Sequence, residues 1–237
     1  MKKAIYQLTI KPLEFTDIRN KKQEFEVTRC IPTVVEYAKN VNADYIMLNE
    51  DNLPSWVLNE IIKKDGSYVR ALIAKCLLFK VWASTEYDQI LFLDNDIQVI
   101  GERDIFNENF DIATRHYEKI RQDRATKYFG RPMTPCNTAV MVMNKEYIKK
   151  LSKIKFNWEE MLKKCHEYKG KVGERYFSGY LGEFFYMHCL DELKTKPVDL
   201  SVDKWTKDYI GYKYNPNFFK DISEYNFIHW VGTEYLK

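Results

Sequence analysis

A short apolar run that ends in two closely spaced carboxylates constrains this chain most. Residues 90–93 read Ile-Leu-Phe-Leu, and Asp94-Asn95-Asp96 follow at once. A continuous apolar run of this length predicts a strand covered on both faces, as in a parallel sheet. If the strand continues to Asp96, both carboxylates point to one face at its carboxyl end, where open α/β sheets bind ligands. Such close carboxylates repel each other unless a cation lies between them, so we expect a divalent metal that holds a phosphorylated substrate.

The residues around this run alternate between strand patterns and helix patterns. Strands are predicted at 4–10, 44–48, 110–114, 137–144, 196–200 and 225–231, and 97–101 is expected to extend or recross the sheet. Helices are predicted at 20–40 with an interruption or kink at Pro32, and at 53–64, 68–84, 145–152, 157–167 and 177–193. The order strand-helix-strand-helix-strand is typical of a doubly wound α/β sheet. No repeat or linker divides the chain, so we expect one domain over residues 1–237.

The charge balance and the N-terminal residues limit the class of partner. The 37 Lys and Arg against 34 Asp and Glu give a net charge of +3, which does not favour nucleic acid or a membrane surface as partner. Residues 1–10 predict a strand rather than a signal peptide, and no window approaches the roughly 20 apolar residues of a membrane span. The five cysteines contain no CxxC pair. We therefore expect a cytoplasmic, soluble protein with reduced thiols.

Two aspartates at this spacing also occur in other kinds of site. A calcium-binding EF-hand loop needs Gly at its sixth position and Glu at its twelfth, where this chain has Val99 and Ile105. Phosphatases of the haloacid dehalogenase type usually follow their aspartates with a small pair, whereas Ile97-Gln98 follow here. Asp and Asn are also common turn formers, so a purely structural turn remains open on these residues alone.

Four further motifs accompany the aspartates in a fixed order. They are Ala74-Lys75-Cys-Leu-Leu-Phe, Asn137-Thr-Ala-Val-Met-Val, Leu181-Gly-Glu183 and Phe227-Ile-His229-Trp-Val-Gly232. From about residue 70 to 237, this order resembles GT-A-fold glycosyltransferases, particularly the retaining family that includes glycogenin and the lipopolysaccharide galactosyltransferases. In that family a helix with a donor-binding Lys or Arg leads into a YLDxD strand, and an FNSG or FNTG strand, an Asp-Gln pair and an HxxGxxKPW tail follow. The resemblance implies the GT-A fold, with a Rossmann-like, mostly parallel central sheet flanked by helices.

The resemblance also implies a role for individual residues. Asp94, Asp96 and His229 match the metal ligands, and two carboxylates with an imidazole suit Mn²⁺, or Mg²⁺. The ion would hold the diphosphate of a nucleotide sugar, and UDP is the nucleotide that we expect. The remaining matches are Asn95 facing the ribose or sugar, Lys75 near the donor, Asn137 on the sugar side, Gly232 in the tail, and Gln7 and Thr9 at the base-binding end of the first strand.

Two departures from the family pattern alter these expectations. Gly182-Glu183 replace the Asp-Gln pair, so Glu183 is the candidate beside the reacting sugar, or else a glutamate that only favours its helix N-terminus. The tail lacks Lys-Pro-Trp. Tyr235 occupies the expected lysine position, which leaves Lys237 as the nearest diphosphate contact. His229 has an alternative role as a hydrogen-bonded core residue beside Trp230.

The expected function is a metal-dependent glycosyltransferase. It would transfer a sugar from a UDP-sugar, or another nucleotide-diphosphate sugar, to a hydroxyl of a glycan or glycoprotein, with retention implied by the resemblance alone. The alternatives are a catalytically inactive module that binds a nucleotide sugar or glycan, and a metal-dependent phosphatase or nucleotidyltransferase. The basic segment 115–136 is either a solvated loop or a cover over the site.

Overall fold

The computed structural model describes residues 1–11, 17–62, 67–116, 123, 126, 134, 136–155, 157, 180–210 and 222–231. The strands are β1 (Lys3–Leu8), β2 (Asp44–Leu48), β3 (Gln89–Leu93), β4 (Ile97–Val99), β5 (Ile112–Arg115), β6 (Asn137–Asn144), β7 (Val198–Asp199), β8 (Thr206–Ile210) and β9 (Phe227–Val231). The α-helices are α1 (Asp17–Phe25), α2 (Ile31–Asn40), α3 (Ser55–Ile62), α4 (Ser67–Ala83), α5 (Lys145–Leu151) and α6 (Tyr180–Glu192). A 3₁₀ turn covers Ile105–Asn107.

The main sheet has six strands in the order β2-β1-β3-β6-β5-β7. β1 is parallel to β2 and to β3, β7 is parallel to β5, and β6 is antiparallel to both of its neighbours. The predicted mostly parallel α/β sheet is confirmed. Because β6 is reversed, Val140 pairs with Leu93 and β6 begins at the edge where β3 ends. The start of β6 therefore lies beside the carboxyl end of the strand that precedes the aspartates.

Both faces of this sheet are covered, as the apolar run of β3 predicts. One face carries Ala4, Tyr6, Ile90, Phe92, Met141 and Met143, and the other carries Ile5, Leu91, Leu93, Val140 and Val142. Helices α3, α4, α5 and α6 pack against the first face, and α2 with the second sheet packs against the other. Successive residues of these strands therefore alternate between two cores.

A second, three-stranded sheet has the order β4-β9-β8. β4 is antiparallel to β9, and β8 is parallel to β9. The stretch predicted at 97–101 therefore does not extend the main sheet but forms β4 of this second sheet. The apolar patterns did not predict β8, because its first three residues are Thr, Lys and Asp. The register places Ile97 and Asp208 on either side of His229.

The long helix predicted at 20–40 is divided before Pro32. A π-helical turn at Glu26–Cys30 separates α1 from α2, and Pro32 lies in the first turn of α2. Proline has no N–H to donate to the preceding turn, so the regular hydrogen-bond pattern cannot run through this point. The change in hydrogen-bond pattern therefore occurs in the π turn. Such turns are frequent at functional sites.

Two sequence expectations meet the described residues only in part. The helix predicted at 157–167 lies outside them except for Asn157, while the one predicted at 177–193 is described from Tyr180 as α6. The described cysteines, Cys30, Cys76, Cys136 and Cys189, are buried. Every helix in the described ranges is too short or too polar to cross a membrane.

Candidate functional site

Asp94, Asn95 and Asp96 form a turn rather than the end of a strand. β3 stops at Leu93, and the Ile97 amide donates to the Asp94 carbonyl at 3.0 Å. The expectation that strand alternation aligns the two carboxylates is therefore wrong, because the chain leaves the main sheet at Asp94 to enter β4. The turn is held on both sides, since the Asp94 amide donates to Ala139 of β6 at 2.8 Å and Trp230 of β9 donates to the Asp96 carbonyl at 3.0 Å.

This turn nevertheless brings both carboxylates to His229. One ligand atom from each of Asp94, Asp96 and His229 lies within 4.8 Å of the others. The contact arises from the second sheet, because the pairing of Ile97 with His229 sets the imidazole beside the residue that precedes Ile97. His229 Nε2 lies 3.4 Å from Asp96 Oδ1. The three residues predicted as metal ligands are thus brought together.

The chemistry of this cluster fits a divalent cation. Asp96 is buried, and its Oδ1 has no hydrogen-bond partner among the described residues. A buried carboxylate oxygen without a hydrogen bond is costly unless a cation is bound to it. Two carboxylates and a neutral imidazole suit Mn²⁺ or Mg²⁺. The donor set and the unsatisfied oxygen therefore both fit the predicted ion.

Two lysines balance the charge of the two aspartates. Lys75 of α4 donates to Asp94 Oδ1 at 2.6 Å, and Lys22 of α1 donates to Asp96 Oδ2 at 2.9 Å. Burial opposes ionisation of Asp96, but Lys22 and His229 outweigh it and hold the pKa of Asp96 well below its usual range. The Lys75 ammonium also lies over the Phe92 ring, 5.0 Å from its centroid. Lys75 was predicted from the sequence, but Lys22, which lies 74 residues from its partner, was not.

A buried carboxylate orients His229 from the side opposite the aspartates. His229 Nδ1 lies 3.0 Å from Asp208 Oδ1, and the second oxygen of Asp208 pairs with the Arg115 guanidinium. A carboxylate at Nδ1 favours donation from Nδ1, so that in the neutral ring the Nε2 lone pair is available to a metal ion. Asp208 was not predicted from the sequence, since no strand was predicted there. It could have been found only through the pairing of β8 with β9.

Glu26 adds a third carboxylate next to this cluster. It lies in the π turn, and its Oε1 is 3.7 Å from Lys22 Nζ. Burial raises the pKa of Glu26 to about 7, against the opposing effect of Lys22 and with a further contribution from Asp96 and Asp94. The site therefore holds more acidic groups than the DxD motif suggests.

The residues predicted at the base-binding end mainly support the turn. Gln7 is fully buried, donating to the Asp94 carbonyl at 3.2 Å and accepting from the Tyr45 hydroxyl at 2.8 Å. Asn95 donates to the Thr9 hydroxyl at 2.7 Å and to the Leu8 carbonyl at 3.1 Å. These bonds tie the turn to β1. Asn95 Oδ1 is buried without a hydrogen-bond partner in the described part of the chain.

Asn137 and Glu183 lie on the opposite side of Asp94. Asn137 is buried at the start of β6, and its side-chain oxygen accepts from the Ala139 amide at 2.8 Å. Glu183 lies in the first turn of α6 and is half-buried. Burial raises the pKa of Cys136 to about 12 against the effect of its hydrogen bond with Thr114, with smaller opposing contributions from Glu183, which raises this pKa, and Lys75, which lowers it. A Cβ atom at Gly182 would lie 3.7 Å from Thr138 Oγ1 and 3.7 Å from the Leu72 side chain, so the start of α6 lies beside the start of β6 and beside α4.

Several expectations lie partly or wholly outside the described residues. Gly232, Tyr235 and Lys237 are not described. Of the segment 115–136, Arg115 pairs with Asp208, His116 Nε2 lies 3.0 Å from the Pro197 carbonyl, and Thr134 donates to Asp191 at 2.7 Å. Both ends of this segment are therefore tied to the domain.

The sequence matches no protein-family model, and no curated protein is similar to it. Solved structures do resemble it. A glycosyltransferase involved in glycosylation of the major capsid of PBCV-1 is 13% identical with a TM-score of 0.51, over 97% of this chain and 94% of that one. The galactosyltransferase LgtC is 11% identical with a TM-score of 0.53, over 97% and 87%. Mouse xyloside xylosyltransferase 1 is 12% identical with a TM-score of 0.50, over 98% of both chains.

These similarities extend over nearly the whole chain rather than over one motif. At such low identity they show the architecture alone. The chain therefore has the GT-A fold and is a distant structural relative of GT-A glycosyltransferases.

Proposed function

We propose that this protein is a metal-dependent glycosyltransferase that uses a nucleotide-diphosphate sugar, with UDP as the nucleotide. The observation that carries the proposal is the cluster of Asp94, Asp96 and His229, whose ligand atoms lie within 4.8 Å at the carboxyl end of β3. In α/β sheets this edge is where ligands bind. The cluster provides the donor set that Mn²⁺ or Mg²⁺ needs to hold a diphosphate.

The metal site of this proposal is oriented by residues behind the ligands. Asp208 fixes the His229 ring, and Arg115 compensates the charge of Asp208. Gln7 and Ala139 hold the backbone of Asp94 from two strands of the main sheet. When bound, the ion would supply Lewis acidity at the leaving diphosphate, where negative charge develops as the sugar–phosphate bond breaks.

The remaining residues act on the donor and the acceptor. Lys75 provides positive charge close to the donor phosphates, and Asn137 faces the sugar. Glu183 stabilises positive charge at the reacting carbon or orients the acceptor hydroxyl. In the transfer, the bond from the sugar carbon to the phosphate oxygen breaks and a bond to the acceptor oxygen forms. The acceptor proton goes to the leaving phosphate on the same face, which gives retention and requires no strong base from the chain.

Other implied properties belong to the same proposal. The acceptor is a hydroxyl of a glycan or glycoprotein, and retention rests on the sequence resemblance. The chain acts as one catalytic domain in the cytoplasm. Gly232 and Lys237 contribute to the nucleotide-diphosphate site.

The experiment that tests this proposal is a screen of nucleotide sugars for hydrolysis and transfer by the purified protein, with Mn²⁺ or with a chelator. We expect one UDP-sugar to be hydrolysed slowly in Mn²⁺ alone and faster with an acceptor. The matched control is Asp96→Asn, which removes one ligand charge and keeps the side-chain shape. Binding of UDP without turnover of any donor would identify an inactive binding module. Release of phosphate from a simple monoester would identify a phosphatase.

A further inference from the structure

Lys22 sets a positive charge against Asp96, on the carboxylate oxygen other than the one that faces His229. Its ammonium lies 2.9 Å from Asp96 Oδ2 and 3.7 Å from Glu26 Oε1. No motif in the sequence pointed to this residue, because it reaches the turn from α1, far away in the chain. The contact is specific to one lysine, since the neighbouring Lys21 is exposed on the same helix.

The charges around the two aspartates are balanced without a metal. Asp94 is paired with Lys75, and Asp96 is paired with Lys22. A divalent ion on the same carboxylates would add two positive charges, and the carboxyl group of Glu26 beside Lys22 could offset at most one of them. Like charges a few ångströms apart disfavour each other strongly in a partly buried site. Binding of the metal alone is therefore opposed by the lysines.

A sugar nucleotide would remove this excess of positive charge. Its diphosphate carries about two negative charges, one on each phosphate. Lys22 is the lysine better able to turn toward such a group, since 31% of its side chain is exposed against 8% for Lys75. Lys75 is also packed over Phe92, whereas Lys22 is held by its ion pairs on a helix that ends in the π turn.

We propose that Lys22 neutralises Asp96 in the free protein and binds the donor diphosphate when the metal takes Asp96, so that metal and donor bind as one unit. This inference rests on the proposed function, because it requires the metal and the diphosphate. It adds a donor-binding residue that the sequence did not indicate. It also provides the basic contact for which the C-terminal tail lacks the expected lysine.

Binding measurements without turnover test this role. Mn²⁺ affinity is measured by calorimetry with and without UDP for the wild type, Lys22→Gln, Lys22→Arg and the control Lys21→Gln. Coupling between two ligands at one site is typically about 5- to 150-fold, and it is reciprocal. For the wild type we expect UDP to raise Mn²⁺ affinity near the top of that range, at about 100-fold.

Lys22→Gln should bind Mn²⁺ alone more tightly, by about 10-fold, and should show about 10-fold weaker coupling to UDP. Lys22→Arg keeps the charge and should behave like the wild type, as should Lys21→Gln. If wild type binds Mn²⁺ and UDP together but Lys22→Gln leaves all affinities unchanged, this inference is overturned and the proposed function stands. The inference is also overturned if Lys22→Gln binds Mn²⁺ more tightly but keeps the wild-type affinity for UDP in the presence of Mn²⁺. Lys22 of the wild type would then pair with Glu26, and not with the diphosphate, when the metal is bound. Absence of any Mn²⁺ or UDP binding by the wild type overturns the proposed function and the inference together.

Discussion

Asp208→Asn tests how the orientation of His229 affects metal binding, because it changes a residue behind the histidine and removes none of the three proposed metal ligands. The substitution keeps an oxygen that accepts from His229 Nδ1 but removes the charge that lies between the imidazole and Arg115. Loss of such a carboxylate behind a metal-bound histidine typically weakens metal affinity by about 10- to 100-fold, or about 1.4–2.7 kcal/mol. We expect Mn²⁺ affinity in the presence of UDP to fall within this range, measured by calorimetry.

The same substitution should also lower stability. The side chains of Asp208 and Arg115 are only 7% and 15% exposed, so their pairing takes place largely away from water. Removing the carboxylate should cost about 1–3 kcal/mol, which lowers the melting temperature by roughly 2–12 °C for a chain of this length. Asp203→Asn, an exposed position in the turn before β8, is the control and should change neither quantity. Equal Mn²⁺ affinity in the two variants would refute the role assigned to Asp208.

Four further outcomes are expected. Asp96→Asn should abolish Mn²⁺-dependent turnover while the circular dichroism spectrum stays unchanged, and residual Mn²⁺-dependent turnover would exclude Asp96 as an essential ligand. UDP at 100 times its dissociation constant should stabilise the Mn²⁺ form by about 2.7 kcal/mol, a rise of roughly 5–10 °C, and equal shifts with a chelator would contradict the metal role. Glu183→Gln should lower kcat on the order of 100-fold with little change in the donor KM, whereas unchanged kcat would make Glu183 a structural residue of α6. Because burial raises the pKa of Glu26 to about 7, the folded protein binds a proton that the unfolded chain releases at a lower pH, and stability from this group is lost as pH rises through 7. Glu26→Gln should therefore flatten the decline in melting temperature between pH 5 and pH 8, and an unchanged pH profile would contradict the shift.

The main sheet could be predicted because its strands are continuous apolar runs. Residues 137–144 were predicted with the bounds that β6 has, and the prediction for 44–48 matches β2. Such runs can be recognised in the sequence because both faces of the strand are buried, so apolar residues are not interrupted by polar ones. The antiparallel direction of β6 could not be predicted, since a buried strand has the same apolar pattern in either direction.

The supporting residues of the site could not be predicted for a different reason. Lys22 and Asp208 are polar residues whose preceding neighbours in the sequence are also polar, so no pattern distinguishes them. Only folding brings them to Asp96 and His229. β8 shows neither an apolar run nor clear alternation, because Asp208 points into the site where a core residue would be expected. The aspartates themselves were found because they directly follow an apolar strand.

The division of the metal ligands between the two sheets has a consequence for folding. Asp94 follows β3 of the six-stranded sheet, while His229 belongs to β9 of the three-stranded sheet. An ion held by both would act as a non-covalent crosslink between two layers of the domain. Its binding free energy would then add to the cohesion of the layers. Slower hydrogen exchange in β4, β8 and β9 would accompany the loaded state, so substrate loading and the rigidity of the small sheet would rise together.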